Sequence, residues 1–179
     1  VFDVSHMGEV FVKGEKALDF VQHITVNDAS KLFAGRVQYS AMCYPDGGIV
    51  DDLLVYRVSD NEFMLVINAS NIDKDFKWMV DNNKFGVELK NESDEYSLLA
   101  VQGPNSKTVV QKICDKPLDL EYYHFFNAKI CGIEMIVSRT GYTGELGYEL
   151  YFKGDEKTAE MVWQKLFEAG KYIRSFYFI

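Results

Sequence analysis

The chain has 179 residues, of which 47% are hydrophobic and 15% aromatic, enough to bury a substantial core in one or two compact units. The formal net charge is -8. An acidic chain repels nucleic-acid phosphates, and its lysines and arginines form no basic run, so the composition argues against nucleic-acid binding. No apolar run reaches membrane-spanning length and no signal peptide is visible, so no membrane role is expected.

Three cysteines, Cys43, Cys114 and Cys131, form no CxxC pair and share no metal-ligand spacing with the histidines. An odd number of cysteines in apolar surroundings is typical of buried, reduced thiols. We therefore expect no metal site and a reducing compartment: the cytoplasm, or the mitochondrial matrix if the source is eukaryotic.

The first half of the chain carries strand and helix patterns in alternation. Period-2 patterning predicts four strands, over residues 8–13, 37–44, 49–58 and 63–67. Helical spacing predicts a helix over residues 14–24. Asn68 to Asn71 can cap a second helix that ends near Asn82.

The second half repeats this arrangement. Strands are predicted over residues 96–102, 125–130, 134–138 and 148–152, and helices over 103–113 and 156–169. Gly14 matches Gly103, and Val21-Gln22 matches Val110-Gln111. The pattern predicts an α+β fold of ferredoxin-like β-α-β-β-α-β halves, duplicated, with subdomains at 1–91 and 92–171 and a separate tail at 172–179.

Asp51 and Asp52 stand inside an otherwise apolar strand, where neighbouring side chains point to opposite faces. One carboxylate can face solvent, but the other would face the packed side, where it is costly unless partnered. An edge strand could tolerate both. The alternative is a carboxylate held in a cleft to meet a cationic or amine-bearing ligand.

A second unusual segment runs from Ser138 to Tyr151, with three glycines interleaved with tyrosines. Such a loop lets the backbone approach a flat ligand while aromatic rings stack on it. Glu149 follows on a strand, where a fixed carboxylate can accept two parallel N–H bonds from an amino-heterocycle. An ordinary glycine-rich hairpin would also account for the segment.

Five segments of the chain occur in the order known from one protein family: Phe2-Asp-Val-Ser-His-Met-Gly-Glu9, Gly47-Gly-Ile-Val-Asp-Asp52, Val66-Ile-Asn68-Ala, Val101-Gln-Gly-Pro104 and Ser138-Arg-Thr-Gly-Tyr-Thr-Gly-Glu145. Through them the chain resembles the T-proteins of the glycine cleavage system, which are aminomethyltransferases. The resemblance runs to about Lys171. Because family members extend further at both ends, and the tail from Tyr172 is unlike their continuation, we expect a fragment whose own catalysis is doubtful.

The resemblance implies a tetrahydrofolate-dependent transferase that takes an aminomethyl group from the lipoyl arm of the H-protein, releases ammonia and passes the one-carbon unit to tetrahydrofolate. Asp52 matches the catalytic carboxylate of the family. The other matches are folate-binding positions: Met7, Tyr39, Leu54, Asn68, Tyr122, Tyr142 and Glu149. From local pattern alone, Met7 would fill core space, Tyr39 would be a cross-strand aromatic and Asn68 a helix cap.

Two other functions share this fold. One is a folate-dependent demethylase that acts on small methylated amines or sulfonium compounds, and the other is a non-catalytic folate-binding module. The presence of Asp52 argues against the module.

Overall fold

The structure is a computed structural model that describes residues 1–173. Contacts divide the chain into two compact units. The continuous unit is His6–Asp94, and the split unit combines residues 1–5 with the chain from Glu95 onward. The expected subdomain boundaries at 1–91 and 92–171 stay a prediction, and most of the predicted tail, from residue 174, lies outside the described residues.

Residues 1–173 form ten strands and four α-helices. The strands are β1 (Phe2–Asp3), β2 (Gly8–Lys13), β3 (Val37–Cys43), β4 (Ile49–Ser59), β5 (Glu62–Ile67), β6 (Glu88–Asn91), β7 (Tyr96–Gln102), β8 (Phe125–Ile130), β9 (Ile133–Ser138) and β10 (Gly147–Lys153). The helices are α1 (Ala17–Ile24), α2 (Ile72–Asp81), α3 (Ser106–Gln111) and α4 (Glu156–Gly170).

Each unit is built on one five-stranded antiparallel sheet. The continuous unit has the order β3-β4-β5-β2-β6, and the split unit has the matching order β8-β9-β10-β7-β1. Both run strand, helix, three strands, helix along the chain. The α+β class and its duplication are therefore confirmed, with three strands between the two helices of each repeat.

The helices of each unit cover one face of its own sheet. In the continuous unit the buried face of α1, Phe20, Val21 and Ile24, joins Met79 of α2 in an apolar core with the sheet. In the split unit Val110 of α3 and Val162 of α4 belong to a second core. Each repeat thus buries the apolar stripe that its sequence pattern predicts.

The matched glycines occupy the same place in the two repeats. Gly14 has φ 136° and Gly103 has φ 121°, a region that residues with a Cβ rarely adopt. The carbonyls of both accept the backbone bond that opens the following helix, from Ala17 N and Ser106 N at 3.0 Å each. Because these glycines are not helical, α1 and α3 begin three residues later than their patterns predicted.

Two strands, β1 and β6, were not predicted from the sequence. Both are short edge strands that pair with one neighbour only, and three of the four residues of β6 are exposed. Such strands carry little alternation for a pattern to reveal.

The three cysteines are unpaired thiols, as expected, but they are half-buried rather than buried. Among residues 1–173, no helix has both the length and the apolar character needed to cross a membrane.

Candidate functional site

The sheet of the continuous unit separates Asp51 from Asp52. Asp52 and Leu54 share one face of β4, and Tyr39 of β3 is the cross-strand partner of Leu54, so these three side chains lie on one face. Asp51 points to the other face with Leu53, which belongs to the helix-covered core. The expectation that the two carboxylates face opposite ways agrees with this register.

Asp52 is held from two sides by neutral donors. The Tyr39 hydroxyl donates to Oδ2 at 2.9 Å, and the Asn68 amide donates to Oδ1 at 2.9 Å. Because its hydroxyl donates to Asp52, the pKa of Tyr39 is raised above its ordinary value. Asp52 is half-buried and Tyr39 is 54% exposed, so a carboxylate of fixed direction stands at an accessible surface. Such a group can orient an amine and stabilise positive charge.

Asn68 does not cap a helix with its side chain, and this expectation was wrong. It follows β5 in an extended conformation, and neither it nor Asn71 forms a side-chain cap hydrogen bond. Instead its amide nitrogen reaches both carboxylates, Asp51 Oδ1 at 3.0 Å and Asp52 Oδ1 at 2.9 Å. The two carboxylates offer this amide charged acceptors, which form stronger hydrogen bonds than a backbone N–H can.

Met7 lies at the same end of the sheet. It immediately precedes β2, whose first residue Gly8 pairs with Ile67, the neighbour of Asn68. The structure therefore brings five predicted residues together in the continuous unit: Met7, Tyr39, Asp52, Leu54 and Asn68.

Sequence reasoning missed two members of this cluster. Asn71 donates to Asp51 Oδ2 at 2.7 Å, and the carboxyl of the fully buried Asp75 of α2 lies within hydrogen-bonding range of the Asp51 carboxyl. A signal was present, because Asp75 occupies one position of the apolar helical series Ile72, Asp75, Phe76, Met79.

The split unit holds a second cluster around Glu149. This residue is only 7% exposed, and the hydroxyls of Thr140 and Tyr151 donate to its Oε2, the latter at 3.3 Å. Burial raises the pKa of Glu149, although both hydroxyls act to lower it. By register, the matching residue of the other repeat is the buried Met64. The fold thus accepts an apolar side chain here, so the carboxyl is not required for packing.

A pocket of about 170 Å³ opens beside Glu149. Its lining is mainly apolar and backbone, from Phe2, Val4, Ala100, Gln102, Gly141, Tyr142, Thr143 and Glu149. Pockets for drug-sized ligands measure about 300–1,000 Å³. This one therefore suits a single flat ring system, with Tyr142, 86% exposed, at its rim. Tyr122 does not line it; its ring packs edge-on against Tyr123, with centroids 4.6 Å apart.

Gln102 fixes the glycine-rich loop beside this pocket. Its Oε1 accepts from the Thr143 hydroxyl at 2.9 Å, and its Nε2 lies 3.4 Å from the Thr140 carbonyl. A Cβ at Gly141 or Gly147 would approach Gln102 Oε1 to 2.4 Å or 2.2 Å. The two glycines are therefore needed so that the Gln102 side chain can lie between them.

The polar side chains of both clusters are carboxylates, amides and hydroxyls. In the described part of the chain, no three His, Cys, Asp or Glu side chains are grouped as metal ligands would be. The arrangement offers acceptors for N–H groups at both sites, and a fixed negative charge at Asp52.

Comparison with known proteins gives a consistent result. Residues 1–175 match a family model described as the GCVT N-terminal domain. Proteins named aminomethyltransferase are similar to the chain: one from Flavobacterium psychrophilum is 51% identical over 173 residues, and one from Bacillus subtilis is 49% identical over 172. These alignments cover 96% and 95% of the chain but 48% and 47% of the relatives. The chain thus spans about half the length of the curated relatives it matches.

Solved structures agree with this. The crystal structure of glycine cleavage system aminomethyltransferase T from Bartonella henselae has a TM-score of 0.83 and 31% identity, covering 93% of this chain and 44% of that one. A chain of the heterotetrameric sarcosine oxidase from a Corynebacterium species has a TM-score of 0.67 and 14% identity, which shows a shared fold alone.

Proposed function

Because the chain belongs to the GCVT N-terminal domain family, we propose that it is the tetrahydrofolate-binding part of a glycine cleavage aminomethyltransferase. The donor is the aminomethyl group on the lipoyl arm of the H-protein. The acceptor is tetrahydrofolate, which leaves as the methylene form while ammonia and the lipoyl thiol are released.

The observation that carries this proposal is the fixed direction of Asp52. With Tyr39 on one oxygen and Asn68 on the other, its carboxylate is preorganised at an accessible surface. As ammonia departs from the aminomethyl carbon, positive charge develops there, and a fixed carboxylate stabilises that charge without reorganising. The same group can orient the attacking folate nitrogen.

The Glu149 pocket supports folate as the acceptor. The pterin ring is flat and carries an amino group beside a ring N–H, a donor pair that a carboxylate accepts in parallel. A pocket of about 170 Å³ has room for such a ring but not for a whole folate. Glu149 would hold the amino edge of the pterin, and the exposed ring of Tyr142 would stack on it.

Calorimetric titration of tetrahydrofolate into the chain tests this proposal. Asp52→Asn and Glu134→Gln form a matched pair, because by strand register Glu134 occupies in the other repeat the position of Asp52. We expect the wild type and both variants to bind tetrahydrofolate.

Transfer is then assayed with lipoylated H-protein, after each chain is joined to the C-terminal half of the Bacillus subtilis relative. Asp52→Asn should lose transfer, whereas Glu134→Gln should keep it. Absence of tetrahydrofolate binding by the folded wild-type protein in both forms would refute the proposal. Transfer from a small methylated amine instead of the H-protein would identify a demethylase.

A further inference from the structure

We propose that the buried carboxyls of Asp75 and Asp51 form a positioning pair, which shares one proton, orients the Asn68 amide and thereby fixes the direction of Asp52. The inference rests on the proposed function, since Asp52 is the group that would act on the substrate. Asp75 and Asp51 are positioning residues: they act through Asn68.

Asp75 occupies a place that an apolar residue would fill at lower cost. Its side chain is fully buried, four residues before the equally buried Met79 on α2. In α4, which follows the three-strand meander of the other repeat, the two buried residues are again four apart, and both are apolar, Val162 and Leu166. Since a carboxylate is almost never fully buried unless paired, its partners indicate its role.

The partners of Asp75 are Asp51 and Lys74. The carboxyl groups of Asp75 and Asp51 lie within hydrogen-bonding range of each other, and Lys74 Nζ lies 3.2 Å from Asp75 Oδ1. Two carboxyl groups this close can form a hydrogen bond only if one of them holds a proton. Within residues 1–173 no amide, hydroxyl or backbone N–H donates to either Asp75 oxygen, so its polar neighbours are the Asp51 carboxyl and the Lys74 ammonium.

The environments decide which carboxyl keeps this proton. Burial above all, helped by Asp51, raises the pKa of Asp75 to about 7. Burial also acts to raise the pKa of Asp51, but hydrogen bonds from Asp75, Asn71 and Asn68 outweigh it, and the net shift is downward. Asp75 is therefore the acid and Asp51 the carboxylate.

Ionised Asp51 fixes the Asn68 amide. Asp51 Oδ1 accepts from Asn68 Nδ2 at 3.0 Å and from the Asp52 backbone N–H at 2.9 Å, while Asn71 occupies Oδ2. The second N–H of Asn68 then points to Asp52 Oδ1. A flipped amide would set its oxygen against two carboxylates, so the pair holds the amide in the one orientation that donates to Asp52.

The Tyr39 hydroxyl reports on this arrangement, because its bond to Asp52 raises its pKa. We would label the tyrosines with ¹³C at Cζ, assign Tyr39 with a Tyr39→Phe variant and titrate by NMR without ligand. Asp75→Leu removes the donor to Asp51, whereas Asp75→Asn keeps an N–H donor. Asp73→Leu, at an exposed position of the same helix, is the control.

In folded Asp75→Leu we expect the pKa of Tyr39 to return toward the ordinary value of about 10. Asp75→Asn and Asp73→Leu should leave it raised. A folded Asp75→Leu protein that keeps the raised pKa would overturn the inference, as would Asp75→Asn lowering it equally.

A second measurement keeps the inference testable if Asp75→Leu does not fold. In wild-type protein labelled at aspartate carboxyls, one signal should titrate near pH 7 and disappear in Asp75→Asn. If every aspartate instead titrates below about pH 5, near the ordinary range, the pair does not exist. Calorimetry with tetrahydrofolate on the same samples tests the proposed function separately from the positioning pair. Absence of binding to the wild type would refute the folate site without changing the Tyr39 result.

Discussion

Gln22 and Gln111 form the same two hydrogen bonds, one set in each repeat. Each side-chain oxygen accepts from the backbone N–H seven residues ahead, of Ala29 and Leu118, at 2.8 Å in both cases. Each side-chain nitrogen donates to the carbonyl five residues ahead, at 3.1 Å and 2.9 Å. In each repeat these two bonds connect the end of the first helix to the loop that follows it. The side chain of the glutamine thus supplies hydrogen bonds to backbone groups of the loop.

Replacing either glutamine by alanine should release only its own loop. We expect each change to lower the free energy of unfolding by about 1–3 kcal/mol, because a buried N–H loses its acceptor. Hydrogen exchange should accelerate at the Ala29 amide in Gln22→Ala and at the Leu118 amide in Gln111→Ala. Each variant is the control for the other. Equal acceleration at both amides in one variant would contradict the prediction that each glutamine holds only its own loop.

Gly147→Ala should destabilise the protein because of Gln102. The new methyl would lie 2.2 Å from Gln102 Oε1, and forcing such an overlap costs about 1–3 kcal/mol. Gln102→Ala should itself destabilise the loop, yet the double variant should recover part of the cost of Gly147→Ala. Denaturant unfolding of the four proteins measures the coupling. Gly48→Ala, whose nearest contact would be 3.2 Å, should cost less. Simple additivity of the two changes would show that Gln102 is not the obstacle.

The sequence predicted the elements that bury a whole face. Eight strands and four helices were predicted in the right places, apart from the late starts of α1 and α3, because each buries an apolar face against its own unit's core. The two short edge strands β1 and β6 bury little, so their residues carry no periodic signal.

For the candidate site, the same reasoning singled out the Asp51-Asp52 pair and Glu149, because a carboxylate inside an apolar strand is visible in sequence; the family resemblance chose Asp52 from the pair. It did not find Asp75, Asn71 or the true contacts of Asn68. Their roles depend on side chains that meet across 16 to 24 residues of chain, and a local rule for helix caps gave the wrong answer for Asn68.

Glu149→Gln should weaken tetrahydrofolate binding while the protein stays folded. The amide oxygen can still accept from Thr140 and Tyr151, but one of two acceptors for the pterin becomes a donor. Losing a hydrogen bond to a charged group costs about 1.5–3 kcal/mol, which corresponds to roughly 10- to 100-fold in Kd. Calorimetry measures this loss, with the exposed Glu145→Gln as control. A pteridine that lacks the 2-amino group should bind both proteins more equally. If this pteridine bound Glu149→Gln as much more weakly than Glu145→Gln as tetrahydrofolate does, Glu149 would not bind the amino edge of the pterin.

Glu9 should make stability fall as the pH rises from mildly acidic to slightly alkaline values. It is 1% exposed, neither of its oxygens has a partner among residues 1–173, and burial raises its pKa from 4.5 to about 8. Between these values the unfolded chain releases a proton that the folded protein keeps. The contribution of Glu9 to the free energy of unfolding is therefore fully present below pH 4.5 and is lost as the pH rises through 8. Between these values the free energy of unfolding falls by up to about 1.4 kcal/mol per pH unit.

Urea unfolding at several pH values checks this dependence. Glu9→Gln should flatten the decline, whereas Glu88→Gln, on an exposed edge position, should not change it. Parallel curves for Glu9→Gln and wild type would show that Glu9 is already ionised in the folded protein.

The two units differ in how the chain completes them. Every strand of the continuous unit comes from one stretch of 89 residues, His6–Asp94, whereas β1 reaches its partner only at Ala100, opposite Phe2. A chain made from its N-terminus at about 5–20 residues per second can therefore close the first sheet while the first five residues still lack a partner. Residues 1–5 are thus made before the continuous unit but can pair only after it, when β7 has been made. Deleting residues 1–5 should spare the folding of the continuous unit and leave the other sheet with an open edge at β7.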